Sequence, residues 1–140
     1  MKKLFAAILV STAVFGSQFV HAGTICEAKS ALGDARANLV KMIGTSDNAE
    51  QKALKVKIDE ASVTLEASIA ALMGDGKSDN GQVTALEKTW SEFKLTRETE
   101  IVPAVYAGDN AKAKAIATGI QADRMKTMNG AVSALGGDAC

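Results

Sequence analysis

The sequence predicts an all-α fold, an antiparallel up-down-up-down four-helix bundle, from three observations. Apolar residues recur at alternating steps of three and four along nearly the whole chain, which is the spacing of one helix face. Proline occurs once, at Pro103, and aromatic residues make up only 4% of the chain. Turn-forming residues divide the pattern into four stretches of roughly 20 to 28 residues, and short connections between such stretches favour antiparallel neighbours.

An export signal precedes the bundle, in the residues MKKLFAAILVSTAVFGSQFVHA. A basic start, Lys2 and Lys3, is followed by an apolar run of 12 residues and by a small-residue cleavage site that ends at Ala22. We expect a cleaved signal peptide over residues 1–22 and a bundle over residues 23–140. The alternative is a retained membrane anchor, but the apolar run is shorter than the roughly 20 residues that a membrane span needs. The protein is therefore expected in the periplasm.

Cap residues and apolar stripes locate the first two helices. Thr24 is a candidate N-cap for the first helix, which should end at Gly44. Asp47 with Glu50 three residues later fits a capping box at the start of the second helix. The predicted core stripes are Ala28, Leu32, Ala35, Leu39 and Met42 in the first helix, and Leu54, Ile58, Ala61, Leu65, Ser68 and Leu72 in the second.

The turn-rich run GDGKSDNG separates the first two helices from the last two. We expect the third helix to begin near Ser78 or Asp79 and to kink near Pro103. Gly108 should end it, and Asp109 should cap the fourth helix. The predicted stripes are Val83, Leu86, Trp90, Phe93 and Arg97, then Ala113, Ile116, Ala117, Ile120, Arg124, Met128, Ala131 and Leu135.

The two cysteines, Cys26 and Cys140, both lie in the expected mature chain. In an exported protein, two cysteines are expected to form a disulfide with each other, although two free thiols or an intermolecular bridge are alternatives. An antiparallel bundle of four helices places the start of the first helix and the end of the last at the same end. We therefore expect a disulfide that joins the first helix to the fourth.

Charge and histidine content exclude several classes of function. Loss of Lys2 and Lys3 with the signal leaves 14 basic against 16 acidic residues, so no nucleic acid or membrane partner is expected. The single histidine, His21, also leaves with the signal. Without imidazole the mature chain cannot build a Ser-His-Asp or Cys-His site or a His-rich metal site. We expect no enzymatic activity, no catalytic residue, no metal and no cofactor.

Two arginines on apolar stripes are the leading binding candidates. Arg97 and Arg124 each follow an apolar stripe residue by four positions, and a buried guanidinium needs a carboxylate or an anionic ligand. Asp123 and Thr127 are candidate neighbours, and Trp90 is a candidate pocket wall. The alternative is that both arginines reach the edge of the bundle or pair with carboxylates inside it.

One segment resembles a known family, the run WSEFKLTRETEIVPAVYAGDNAKAKAIATGIQADRMKTMNGAVSAL. It resembles the four-helix-bundle sensory domain of methyl-accepting chemotaxis receptors. The matching features are an aromatic third helix with Trp90 and Phe93, Pro103 late in that helix, and an Ala-Gly-Asp turn after it. In that family the bundle lies between two membrane helices and feeds a cytoplasmic signalling module. We expect neither the second span nor the module here, so the resemblance implies binding of a periplasmic ligand or protein partner. The two arginines favour a small ligand that carries a negative charge.

Two other hypotheses remain open. The chain is similar in length and plan to periplasmic four-helix-bundle cytochromes, but Met125 and Met128 stand where their haem histidine lies. A haem or copper electron carrier would thus depend on methionine ligands. A structural or chaperone-like protein, or a homodimer, would need an exposed apolar patch, for which Val63 and Ile69 are the candidates.

Overall fold

The fold is known from a computed structural model that describes residues 17–75 and 81–140. The elements, in chain order, are α1 (Ser17–Gly44), α2 (Asn48–Gly74), α3 (Gln82–Thr96), a π-helical segment (Arg97–Ile101), α4 (Val102–Tyr106), α5 (Asn110–Thr118), α6 (Ile120–Ala134) and a 3-10 turn (Gly137–Ala139). These elements form four helical rods. The first rod is α1 and the second is α2, the third consists of α3 and α4 joined by the π-helical segment, and the fourth consists of α5 and α6. The all-α four-helix bundle predicted from the sequence is confirmed.

Hydrogen bonds between the first and last rods show that the two rods run in opposite directions. Near the middle of α1, three residues after Cys26, Lys29 donates a hydrogen bond to the carbonyl of Gly137, at 2.8 Å. Near the end of α1, the carbonyl of Ile43 accepts a hydrogen bond of 2.8 Å from the amide of Asn110, the first residue of α5. This pairing is consistent with the predicted antiparallel order.

The two cysteines meet at one end of the bundle. Cys26 in α1 and Cys140 after the 3-10 turn form a disulfide, with their Cα atoms 5.5 Å apart. The bond joins the first rod to the last, as the four-helix plan predicts. The hydrogen bond from Lys29 to Gly137 lies beside it and closes the same end.

The interior of the bundle is mainly aliphatic. Trp90 and Phe93 form an aromatic pair in it, with ring centroids 5.6 Å apart and nearly parallel ring planes. All the stripe residues predicted for the first two helices are buried, although Ser68 is polar. Besides Trp90, the largest buried apolar side chains are Leu32, Leu39, Met42, Ile58, Leu65, Leu72, Leu86, Phe93, Ile101 and Met128.

Both predicted aspartate caps are confirmed. The Asp47 carboxylate accepts a hydrogen bond of 2.8 Å from the backbone N–H of Glu50, and Asp109 accepts one of 3.0 Å from that of Lys112. Each bond satisfies a backbone donor that has no partner within its helix. Gly108 precedes the second cap with a φ of 80°, in the left-handed region that favours glycine.

The helix contains a π-helical segment just before Pro103, where the sequence predicted a kink. The N–H of Val102 donates to the carbonyl of Arg97, five residues earlier, rather than four as in an α-helix. Pro103 has no N–H of its own, so it cannot continue the α-helical ladder at this point. The wider turn adds one residue to the rod and changes which side chains beyond Thr96 face the interior.

Several predicted boundaries were wrong or lie outside the described residues. Thr24 is not an N-cap, because α1 begins at Ser17 and passes through it. The predicted start near Ser78 or Asp79 lies outside the described residues, and α3 begins at Gln82 after Gly81. Most of the predicted signal peptide also lies outside them. No helix in the described ranges is both long and apolar enough to cross a membrane.

Ile120 was wrongly assigned to the core stripe of the fourth helix. Its side chain is 50% exposed, because the rod breaks at Gly119, which has φ −92° and ψ −113°. The break rotates the following helix, so that Gln121, which is 0% exposed, faces the interior instead.

The predicted apolar patch on α2 was also wrong in part. Ile69 belongs to the core, at 3% exposure, whereas Val63 is 67% exposed. Six residues along a helix correspond to about 600°, so the two side chains lie on different faces. They do not form one surface.

Candidate functional site

Arg97 lies inside the bundle and forms an ion pair with Glu98. It is the first residue of the π-helical segment and is 0% exposed. Its Nε donates to the carboxylate of Glu98 at 2.7 Å, and its Nη1 donates to the hydroxyl of Ser62 at 3.0 Å. The guanidinium carbon lies 5.4 Å from the centre of the Trp90 ring, within reach of a cation–π contact. The Arg97 side chain has no surface exposed to solvent.

Trp90 and Glu66 link α3 to α2 beside Arg97. The indole N–H of Trp90 donates to the Glu66 carboxylate at 3.0 Å, and Lys94 donates to the same oxygen at 2.6 Å. Burial opposes ionisation of Glu66, but these hydrogen bonds and the charges of Lys94 and Arg97 outweigh it and lower its pKa. Glu66 therefore remains a carboxylate and holds the two helices together.

A lysine completes the charge network between α2 and the π-helical segment. Lys55 lies 2.6 Å from Asp59 and 3.2 Å from Glu98. Burial would lower the pKa of Lys55, but the hydrogen bonds and charges of the two carboxylates raise it overall. Glu98 is thus shared by Lys55 and Arg97, which compensates the buried guanidinium.

Arg124 lies on the other side of the third rod. Its Nη1 donates to the hydroxyl of Thr96 at 2.8 Å and to the side-chain carbonyl of Gln121 at 3.0 Å. Its Nε lies 3.6 Å from the carboxylate of Glu92. Gln121 also donates to the carbonyl of Phe93 at 2.8 Å. This cluster joins α6 to α3.

The five predicted binding residues do not form one site. Arg97 and Trp90 are in contact, and Arg124 belongs to a separate cluster. Asp123 and Thr127 are exposed, and the Thr127 hydroxyl donates to the backbone carbonyl of Asp123 at 3.2 Å. Neither of these two side chains is hydrogen-bonded to an arginine. The carboxylates next to the arginines are Glu98 and Glu92.

A third arginine, which the sequence interpretation missed, has no partner. Arg36 of α1 is half-buried, and its Nη1 is shielded from solvent without a hydrogen-bond acceptor. Burial lowers the pKa of this guanidinium, and no described carboxylate pairs with it. The signal was present in the sequence, because Arg36 follows the core residue Leu32 by four positions, as Arg97 follows Phe93.

Arg36 faces a groove of about 570 Å³ between α1 and α5. Asn110 holds one end of this groove by donating hydrogen bonds to the carbonyls of Ile43 and Thr45. A second cation, Lys114, lies across the groove from Arg36. No carboxylate of the described residues lines it; the other lining residues are Val40, Ile43, Gly44, Ala111, Ala117 and Thr118. The groove is therefore apolar with a positive charge at each side.

Comparison with known proteins agrees with this architecture. A family model described as a four helix bundle sensory module for signal transduction matches residues 7–137. No curated protein and no solved structure matches the chain. In the described ranges, no three or more His, Cys, Asp or Glu side chains are grouped so that they could hold a metal ion. The family match spans nearly the whole chain and all four rods, and the chain therefore belongs to the four-helix-bundle sensory modules.

Proposed function

We propose that this chain is an exported, non-enzymatic sensory binding protein that takes a small organic anion into the groove between α1 and α5. Cleavage after Ala22 would release the bundle of residues 23–140 into the periplasm. The disulfide between Cys26 and Cys140 supports that compartment, because such bonds persist in oxidising surroundings.

The observation that carries the proposal is the unpartnered Nη1 of Arg36. A shielded guanidinium nitrogen without an acceptor costs stability, and a carboxylate bound in the groove would remove that cost. Arg97 and Arg124 each also have one shielded nitrogen without an acceptor, Nη2 and Nε. Their guanidinium groups nevertheless donate hydrogen bonds to protein acceptors, whereas no hydrogen bond or ion pair of Arg36 is described. Lys114 adds a second positive charge, and the absence of a lining carboxylate leaves both cations free to attract an anion.

The size and walls of the groove fit a small ligand with an apolar body. A volume of about 570 Å³ lies within the usual range for small-molecule sites. Val40, Ile43, Ala111 and Ala117 offer aliphatic contacts beside the two cations. An organic carboxylate has the matching chemistry, since guanidinium binds carboxylate through two parallel hydrogen bonds.

Titration calorimetry with benzoate and succinate tests this assignment. We expect at least one of them to bind, and Arg36→Gln to weaken binding roughly tenfold or more, as loss of a shielded charged hydrogen bond should. Lys114→Gln should weaken it less, because Lys114 is exposed. Lys112→Gln is the matched control: this exposed lysine of α5 does not line the groove and should not change the affinity.

Thermal unfolding of the same variants separates binding from folding. Arg36→Gln should unfold at the wild-type temperature or above it, because an unpartnered buried cation is removed. Equal affinity of wild type and Arg36→Gln, or no binding of either probe by folded wild-type protein, would overturn the assignment.

The ligand set of Arg97, Arg124, Trp90, Asp123 and Thr127 stays a prediction, and the same titration separates it from the groove. Loss of binding in Arg124→Gln with normal binding in Arg36→Gln would favour that set. The reverse result would favour the groove.

A further inference from the structure

A second groove lies on the opposite side of the bundle, between α2 and α3. It has a volume of about 480 Å³, within the range of small-molecule sites. The rods are neighbours in the order first, second, third and fourth, so this groove and that of Arg36 lie on opposite edges. They share no lining residue.

The walls of the second groove are mainly apolar. Its lining includes the buried residues Ile69 and Trp90 and the exposed Ala70 of α2. Two large apolar side chains of the lining, Met73 and Leu95, are 48% and 64% exposed. An apolar body in the groove would cover both.

The charged residues of this groove are predominantly acidic. Three carboxylates line it, those of Glu66, Glu87 and Glu98, against one ammonium group, that of Lys94. Glu66 is hydrogen-bonded to Lys94, and Glu98 is paired with two cations of the protein. Glu87 alone among the three has no ion pair or hydrogen bond in the described structure, so its charge is free for a ligand.

We propose that the groove between α2 and α3 binds a small organic cation, an ammonium group on an apolar body. The ammonium group lies at Glu87, the uncompensated carboxylate, and the apolar body lies along Ile69, Ala70 and Met73 beside Trp90. A carboxylate ligand is disfavoured, because it would meet a net negative lining. This site is independent of the proposed anion site.

Trp90 gives a direct readout, because it is the only tryptophan of the chain and its indole N–H is bonded within the groove. Its fluorescence should change saturably when hexyltrimethylammonium is added to the full chain. Hexanoate, with an alkyl chain of similar length and the opposite charge, should give no saturable change. Calorimetry should report the same affinity as fluorescence for the cation.

Variants at Glu87 test where the charge is recognised. Glu87→Gln should weaken binding about two- to fivefold, the effect of one exposed ion pair, and Glu87→Lys should abolish it. Glu60→Gln, which removes an exposed carboxylate of α2 outside the groove, should bind as wild type does. Arg36→Gln should also bind the cation normally, which separates this site from the anion site.

Three results would overturn the proposal: binding of hexanoate as tight as that of the cation, equal affinity of wild type and Glu87→Lys, or no saturable response of folded wild-type protein. Retained helical circular dichroism in each variant establishes that the protein tested is folded.

Discussion

The disulfide should provide a large part of the stability of this bundle. Cys26 and Cys140 are separated by 114 residues, and closure of a loop of that length restricts the unfolded chain. The chain-entropy relation gives about 4.8 kcal/mol at 25 °C for such a loop, and removal of native disulfides from small secreted domains costs about 2 to 5 kcal/mol. We therefore expect the double variant Cys26→Ser/Cys140→Ser to lose about 2 to 5 kcal/mol of unfolding free energy.

Urea unfolding of the wild type and the double variant measures this loss, with Trp90 fluorescence and helical circular dichroism as probes. The variant should unfold at lower urea and with a larger m-value, because its unfolded chain exposes more surface than the cross-linked one. Its melting temperature should fall by about 8 to 20 °C, at about 4 °C per kcal/mol for a domain of this size.

Reductant supplies the control for the disulfide. It should lower the stability of the wild type to that of the variant and leave the variant unchanged. A loss below about 1 kcal/mol, with helix content intact and the wild-type bond verified by mass, would refute the reasoning that this bond limits the unfolded chain.

Three further predictions concern packing, a buried amide and pH. Gly137→Ala should destabilise the bundle by about 1 to 3 kcal/mol in urea unfolding, because a Cβ there would lie 2.5 Å from a methyl of Val132; wild-type stability would contradict this close packing. Gln121→Leu should cost about 1 to 3 kcal/mol, since Arg124 loses an acceptor, and a neutral result would show that this hydrogen bond does not stabilise the fold. The pKa of Glu66 is lowered in the folded state, so its carboxylate stabilises the fold above its ordinary pKa of 4.5, and this contribution is lost as pH falls through the lower folded value. Glu66→Gln should thus lose at most about 1 kcal/mol at neutral pH and nothing in strong acid, and a difference independent of pH would count against the ionised form.

Most of the fold could be predicted because helices, caps and stripes depend on residues close together in sequence. Asp47 and Asp109 cap their helices as predicted, since each bond spans only three residues. Ile120 was misplaced because the break at Gly119 changes the rotation of the helix that follows. A glycine inside a helical pattern does not by itself predict a break in the helix.

The candidate site was less predictable, because polar partners come from different rods. The four-residue spacing marks Arg36, Arg97 and Arg124 equally. Arg97 pairs with Glu98, the next residue in the same π-helical segment, and Arg124 lies close to Glu92 of another rod. The sequence does not show that no described carboxylate of a neighbouring rod reaches Arg36.

The sequence alone determined the all-α class and the number of helical rods, because helical period and chain direction follow from local geometry and connection length. It favoured a bond between Cys26 and Cys140 over free thiols or an intermolecular bridge, and the structure shows that bond. The tertiary structure alone showed that Arg36 faces a cationic groove and that Glu87 is uncompensated. A change of one residue in register rotates a helix face by about 100°. The π-helical segment at Arg97 and the break at Gly119 both make such changes, so the contacts of polar side chains became known only when the rods were packed together.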